Sequence, residues 1–106
     1  MEKDLKIAEL SDYYRGLLTE RQYDIVDRYY NLDCSLAEIA EAFGITRQSV
    51  RDALVRSREA LERYESLLHL RERGREVLAL VDEALAHTAE PGTRETLNRI
   101  RNRIEV

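Results

Sequence analysis

With 106 residues, 43% of them hydrophobic and 36% charged, the chain can build one modest core and is expected to form one domain, or one domain with a helical extension. A net charge of −4 excludes a broadly basic nucleic-acid coat, and a single cysteine excludes an internal disulfide and a cysteine metal cluster. No apolar run approaches the roughly 20 residues of a membrane span, and the MEKDLK start has no signal-peptide core, so a cytoplasmic protein without membrane insertion is expected.

One proline and four glycines leave long uninterrupted helical stretches, and β-branched residues never alternate over a strand length. The fold class read from this is all-α. Leu5, Ile7, Ala8, Leu10, Tyr14, Leu17 and Leu18, at mixed three-and-four spacing, predict a first amphipathic helix over 3–18. Thr19 and Gln22 then form a capping box. It opens a second helix over 20–31 that buries Tyr23, Ile25, Val26, Tyr29 and Tyr30. The pairs Tyr13-Tyr14 and Tyr29-Tyr30 offer either a base-stacking stripe or, as helical spacing favours, core packing.

After a short loop from Asn31 to Cys34, Ser35 and Glu38 make another capping box. Leu36, Ile39, Ala40 and Phe43 share one face of the helix that follows. Gly44 suits the left-handed residue that ends such a helix, because it has no Cβ to clash. Thr46 can cap the next helix, whose inner face is Val50, Ala53, Leu54 and Ser57. Two short helices joined by a tight turn predict a helix-turn-helix, a motif that commonly lays its second helix in the DNA major groove.

The helix from Arg47 does not stop after three or four turns. Leu54, Leu61 and Leu68 repeat every seven residues beside a row of Val50, Ser57 and Tyr64, a seam at coiled-coil spacing. It either continues through Gly74 to Val77, Leu78, Val81, Ala84 and Leu85 or breaks near Ser66–His69 into a separate helix. Folding back on the head or pairing with a second copy would bury it; a homodimer through residues 60–90 is expected. Pro91-Gly92 predicts a stop, and Thr93 a cap for a last short helix with Leu97, Ile100 and Ile104 on one face.

Charge is uneven along the chain. Residues 1–46 hold 10 acids against 5 bases, and residues 47–106 hold 11 acids against 12 bases, so any positive field begins at the proposed recognition helix. At about 100° per residue, Arg47, Arg51 and Arg58 fall in a narrow sector taken as opposite the core, flanked by Gln48, Val55 and Asp52. Arginine grips guanine, and glutamine adenine, with two hydrogen bonds each. Arg47, Gln48 and Arg51 are therefore the expected base readers. Ser35, Thr46 and Arg58 are the expected phosphate contacts, and Ser49 and Asp52 complete the candidate nucleic-acid-binding set. The same arginines equally suit a solvated face neutralised by pairs such as Arg58–Glu62. Arg94, Arg99, Arg101 and Arg103 form a second group, either a phosphate or RNA patch or a solvated face.

Catalysis finds no support. His69 and His87 have no cysteine or carboxylate at ligand spacing, and Cys34 and Asp82-Glu83 have no nucleophile or acid-base context. No enzyme, cofactor or metal is expected.

The stretch SLAEIAEAFGITRQSVRDALVRSREALER resembles the region-four helix-turn-helix of bacterial sigma factors without a gap. The resemblance implies that Arg47, Gln48, Arg51 and Asp52 contact bases. Gln48 and Asp52 stand where the sigma pattern has glutamate and glutamine, and a complete sigma factor is not expected. YYRGLLTERQYDIVDRYYNLDCSLAEIAEAFGITRQSVRDALVRSREALERYESLLHL is more closely similar to the YlxM family of small bacterial helix-turn-helix proteins. That resemblance implies a sigma-region-four-like head over 1–70 and a helical extension over 71–106. Through the family's link by gene neighbourhood to the signal recognition particle pathway, it also implies a regulator acting there. The alternative it implies is a non-enzymatic adaptor for the particle's protein or RNA. No motif after about residue 90 matches the family.

Overall fold

The computed structural model describes residues 3–106, and all the regular structure among them is helical. The helices are α1 (Leu5–Tyr13), α2 (Glu20–Tyr30), α3 (Leu36–Phe43), α4 (Arg47–Leu68), α5 (Leu70–His87) and α6 (Pro91–Ile104), with a 3₁₀ turn at Arg15–Leu17 after α1. They form two compact units, one ending at Leu68 and the other running from His69 to Val106. No helix among the described residues is long and apolar enough to cross a membrane.

In the first unit each helix start is written locally. Asp4 caps α1 by accepting from the Lys6 N–H at 2.8 Å. Thr19 with Gln22 and Ser35 with Glu38 form complete capping boxes at α2 and α3, each meeting two N–H groups that a helix start leaves unpaired. Gly44 ends α3 at φ 66°, and the Ile45 N–H returns to the Ala40 carbonyl at 3.0 Å. Thr46 Oγ1 accepts from the Ser49 N–H at 3.0 Å and so starts α4.

Helix α4 is the spine of this unit. Its Val50 and Leu54 pack with Ile25, Val26 and Tyr29 of α2 and Ile39 and Ala40 of α3. Farther along, Leu61 packs with Ile7, Leu10 and Tyr14 around α1. Tyr14 stacks at a tilt on Tyr64, centroids 5.9 Å apart, and its hydroxyl donates to Glu65 at 2.6 Å. The tyrosine pairs are thus core and flank, with Tyr14 and Tyr29 buried, and do not form a stacking stripe. Lys3 ties the chain start to the α2–α3 loop: its Nζ lies 2.7 Å from Asp33 and 4.5 Å over the Tyr29 ring.

Several boundaries differ from the sequence reading. The first helix stops at Tyr13 instead of reaching residue 18, because the chain tightens into 3₁₀ bonds, Leu17 N–H to Tyr14 and Leu18 N–H to Arg15, before the Thr19 cap. Tyr23 is half-buried, its ring under the Arg15 guanidinium and its hydroxyl on Asp12. Of the two courses open to the long helix, the chain takes the break: His69 is left-handed at φ 54°, which ends α4 and starts α5. The heptad leucines Leu54 and Leu61 are covered within the first unit, whereas Leu68 is 44% exposed.

The second unit is a helical hairpin of α5 and α6. Pro91-Gly92 opens α6 where a stop was expected, and the cap is Glu90 in place of Thr93. Proline suits the first helical position because its missing N–H would have no partner there, and the Glu90 carboxylate accepts from the Gly92 N–H at 2.9 Å.

Candidate nucleic-acid interface

The α3–α4 turn and the buried Val50 and Leu54 fix α4 so that its first two turns face outward. Arg47, Gln48, Ser49, Arg51 and Asp52 are all exposed there. Three of them form a short relay. Arg51 Nη1 donates to the Gln48 carbonyl oxygen at 3.4 Å, and the Gln48 amide donates to Asp52 at 2.9 Å. Gln48 therefore already presents one acceptor and one donor, the combination it would offer an adenine edge. Arg47 has no hydrogen bond, ion pair or ring contact among the described residues.

The expected phosphate contacts fare differently. Thr46 is exposed at the start of α4, but its hydroxyl oxygen is used by Ser49. Ser35 is committed to its capping box: Glu38 accepts from the Ser35 N–H at 3.0 Å, and Ser35 Oγ accepts from the Glu38 N–H at 3.1 Å. Those bonds hold the Glu38 carboxyl below the usual carboxylate range, with the backbone bond from Ser35 the larger cause. A charged carboxylate therefore covers the start of α3 and opposes a phosphate at Ser35. Arg58 is half-buried and lies between Glu62 (3.2 Å) and Asp4 of α1 (3.6 Å). The Asp4 pair ties α1 to α4, a long-range pairing that spacing within α4 cannot reveal.

The buried row also corrects where the arginines point. With Val50, Leu54, Ser57 and Leu61 buried, winding α4 at about 100° per residue puts Gln48, Asp52, Val55 and Glu59 opposite that row. Arg47, Arg51 and Arg58 line one flank, Ser49 and Arg56 line the other, and Arg63 falls with the outward row. Val55, 41% exposed, gives the outward face an apolar spot beside the polar readers. Arg56 lay outside the sequence-predicted set. Its flank was readable from spacing, but its neighbours on α2 were not.

The second arginine group is largely spent on its own fold. Arg94 donates to the Leu85 and Thr88 carbonyls at 2.7 and 3.0 Å, closing the end of α5. Arg99 faces Glu95, and Arg101 faces Asp82 and Glu105.

Comparison with known proteins gives a family match over residues 1–100, described as "Putative helix-turn-helix protein, YlxM / p13 like" and designated UPF0122. The match extends into α6, past the region where the sequence resemblance ended. A UPF0122 protein of Desulforamulus reducens is 51% identical over 65 residues, covering 61% of this chain and 56% of the relative. One from Limosilactobacillus reuteri is 46% identical over 70 residues, covering 66% and 62%, and one from Clostridium novyi is 42% identical over 78 residues, covering 74% and 68%. The chain thus spans less than two thirds of the length of the first two of these relatives.

Proposed function

The chain belongs to the YlxM/p13-like helix-turn-helix family UPF0122, and on that premise we propose that its first unit binds DNA as a regulatory protein. The observation that carries the reading is the exposed, mutually bonded set Arg51, Gln48 and Asp52, with unpaired Arg47, at the start of a helix locked by its buried row. In the major groove Arg47 and Arg51 match guanine and Gln48 matches adenine. Asp52 matches the cytosine amino group, and Val55 the thymine methyl. Asp52 then contributes to readout, with Gln48 holding it in place until a base edge replaces the contact. With few basic residues to neutralise phosphates, affinity is modest and depends strongly on salt.

Selection of binding sites from genomic fragments at low and moderate salt tests the reading. An enriched motif is the expected result, lost on combined Arg47→Ala and Arg51→Ala, each base contact being worth roughly 1–3 kcal/mol. Recovery of unselected fragments alone would overturn it.

A second reading makes the hairpin an adaptor surface in the signal recognition particle pathway. Leu80 and Ile100, 64% and 41% exposed, favour a protein partner over RNA, since most of the α6 arginines are already occupied. A complex formed that way survives the Arg47/Arg51 double change, which separates the two readings.

A further inference from the structure

A helix lying in a major groove has a phosphate strand on each side, yet the proposed readers place cations on only one flank of α4. The other flank carries Arg56. Among the described residues of the first unit, Arg47 and Arg56 are the arginines with no hydrogen bond, ion pair or ring contact; Arg15, Arg21, Arg28, Arg51, Arg58 and Arg63 each have one. At about 1.5 Å and 100° per residue, Arg47 and Arg56 stand roughly 14 Å apart along α4 and on opposite sides of it.

Arg56 borders a recess of about 230 Å³ between α2 and α4, lined also by Thr19, Arg21, Gln22, Ile25 and Ala53. No carboxylate lines it, although the chain as a whole is acidic. The acids of α2, Glu20, Asp24 and Asp27, border a different recess with Arg15 and Tyr23. Arg21 lies 5.4 Å over the Phe43 ring and makes no hydrogen bond or ion pair among the described residues. Thr19 and Gln22 are occupied with each other in the α2 cap, so the recess brings together arginines from two helices with no carboxylate in its lining.

We propose that Arg21 and Arg56 form a clamp for one phosphate of the DNA strand on the far side of α4 from Arg47. The clamp rests on the DNA-binding reading of that helix and adds the second strand to it. It recognises the phosphodiester group and no base, so it acts on every sequence alike.

The test is binding of the full chain to a short labelled duplex of unselected sequence between about 50 and 200 mM salt. Loss of one phosphate contact lowers the slope of log affinity against log salt by roughly one unit. Arg56→Gln should produce that drop, and Arg21→Gln with Arg56→Gln should produce little more, because both arginines grip the same phosphate. Arg56 is exposed and unpaired, so its single variant keeps the test readable even where loss of Arg21 loosens Phe43. An unchanged slope in both variants, with sequence preference still lost on Arg47→Ala and Arg51→Ala, overturns the clamp and leaves the reading of bases standing. A lowered slope in the clamp variants, with the Arg47/Arg51 change leaving sequence preference intact, supports the clamp and overturns base reading by those arginines. A wild-type chain that binds no duplex at low salt overturns both, and an effect confined to a labelled RNA duplex overturns the clamp as a DNA contact.

Discussion

The two units of this chain are held together differently. The unit ending at Leu68 closes two hydrophobic clusters on one spine, helix α4, and can leave Arg47 and Arg56 unpaired at the surface. In the hairpin from His69 onward Val81 is the buried hydrophobic side chain, and arginines take over part of the holding: Arg94 closes α5, while Arg101 bridges to Asp82 and pairs with Glu105. The sequence from residue 47 onward has the more favourable charge balance for nucleic acid, but much of the positive charge on α6 has its partner within the hairpin. Charge along a sequence locates cations; only the fold says which of them are available to a ligand.

The largest expected effect tests that contrast in packing. Leu61, fully buried against α1, should cost about 2–5 kcal/mol when changed to alanine. Leu80, 64% exposed on α5, should change stability by about 0.5 kcal/mol or less. Chemical denaturation of the two variants measures both. Equal losses would mean that the hairpin carries a core as demanding as the head's.

Gly44 is the next lever, and it acts on the turn that aims α4. Its φ of 66° lies where a Cβ is strained, yet no atom lies within 4 Å of where that Cβ would sit. Gly44→Ala should therefore cost about 1–2 kcal/mol from the backbone alone. His69 holds a similar left-handed angle between the units and tolerates it as a histidine, a residue type enriched in that region. A loss at Gly44 well above that range would show that the turn is packed more tightly than its empty surroundings imply.

The features legible in the sequence are the ones decided within a turn or two of helix. The caps at Thr19, Ser35 and Thr46, the Gly44 turn and the buried row from Val50 to Leu61 all rest on spacings of a few residues, and the structure has each of them. The end of α1 was misplaced because the next cap forces a tighter turn before Thr19, a competition between neighbouring elements that periodicity does not register. The pairing of Arg58 with Asp4 was out of reach, because Asp4 comes from the start of another helix far away in sequence. For the same reason the recess shared by Arg21 and Arg56 was invisible, since its two walls meet only when α2 packs on α4.

The smallest effect, and the one that compares the units most directly, is their response to acid. Each contains an exposed glutamate whose carboxyl is held below the usual range near 4 by capping bonds: Glu38 chiefly through the Ser35 N–H, Glu90 chiefly through the Thr93 hydroxyl. A carboxyl with a depressed pKa in the folded state contributes in full above its unfolded value, and that contribution is lost as pH falls through the folded one. Both caps therefore weaken in the same acid window. In the first unit the loss falls on α3, which keeps the Ser35 side chain and the buried Ile39 and Ala40. In the hairpin it falls on α6, whose cap is Glu90 itself and which has no fully buried side chain. Amide exchange followed by NMR through that window should show α6 opening while α3 is still protected. Glu90→Ala should open α6 at neutral pH and should weaken the pH dependence of that helix, leaving the part carried by Asp82, Glu95 and Glu105. Simultaneous loss of protection in α3 and α6 would mean that packing, not the carboxylate cap, sets the stability of the hairpin's last helix.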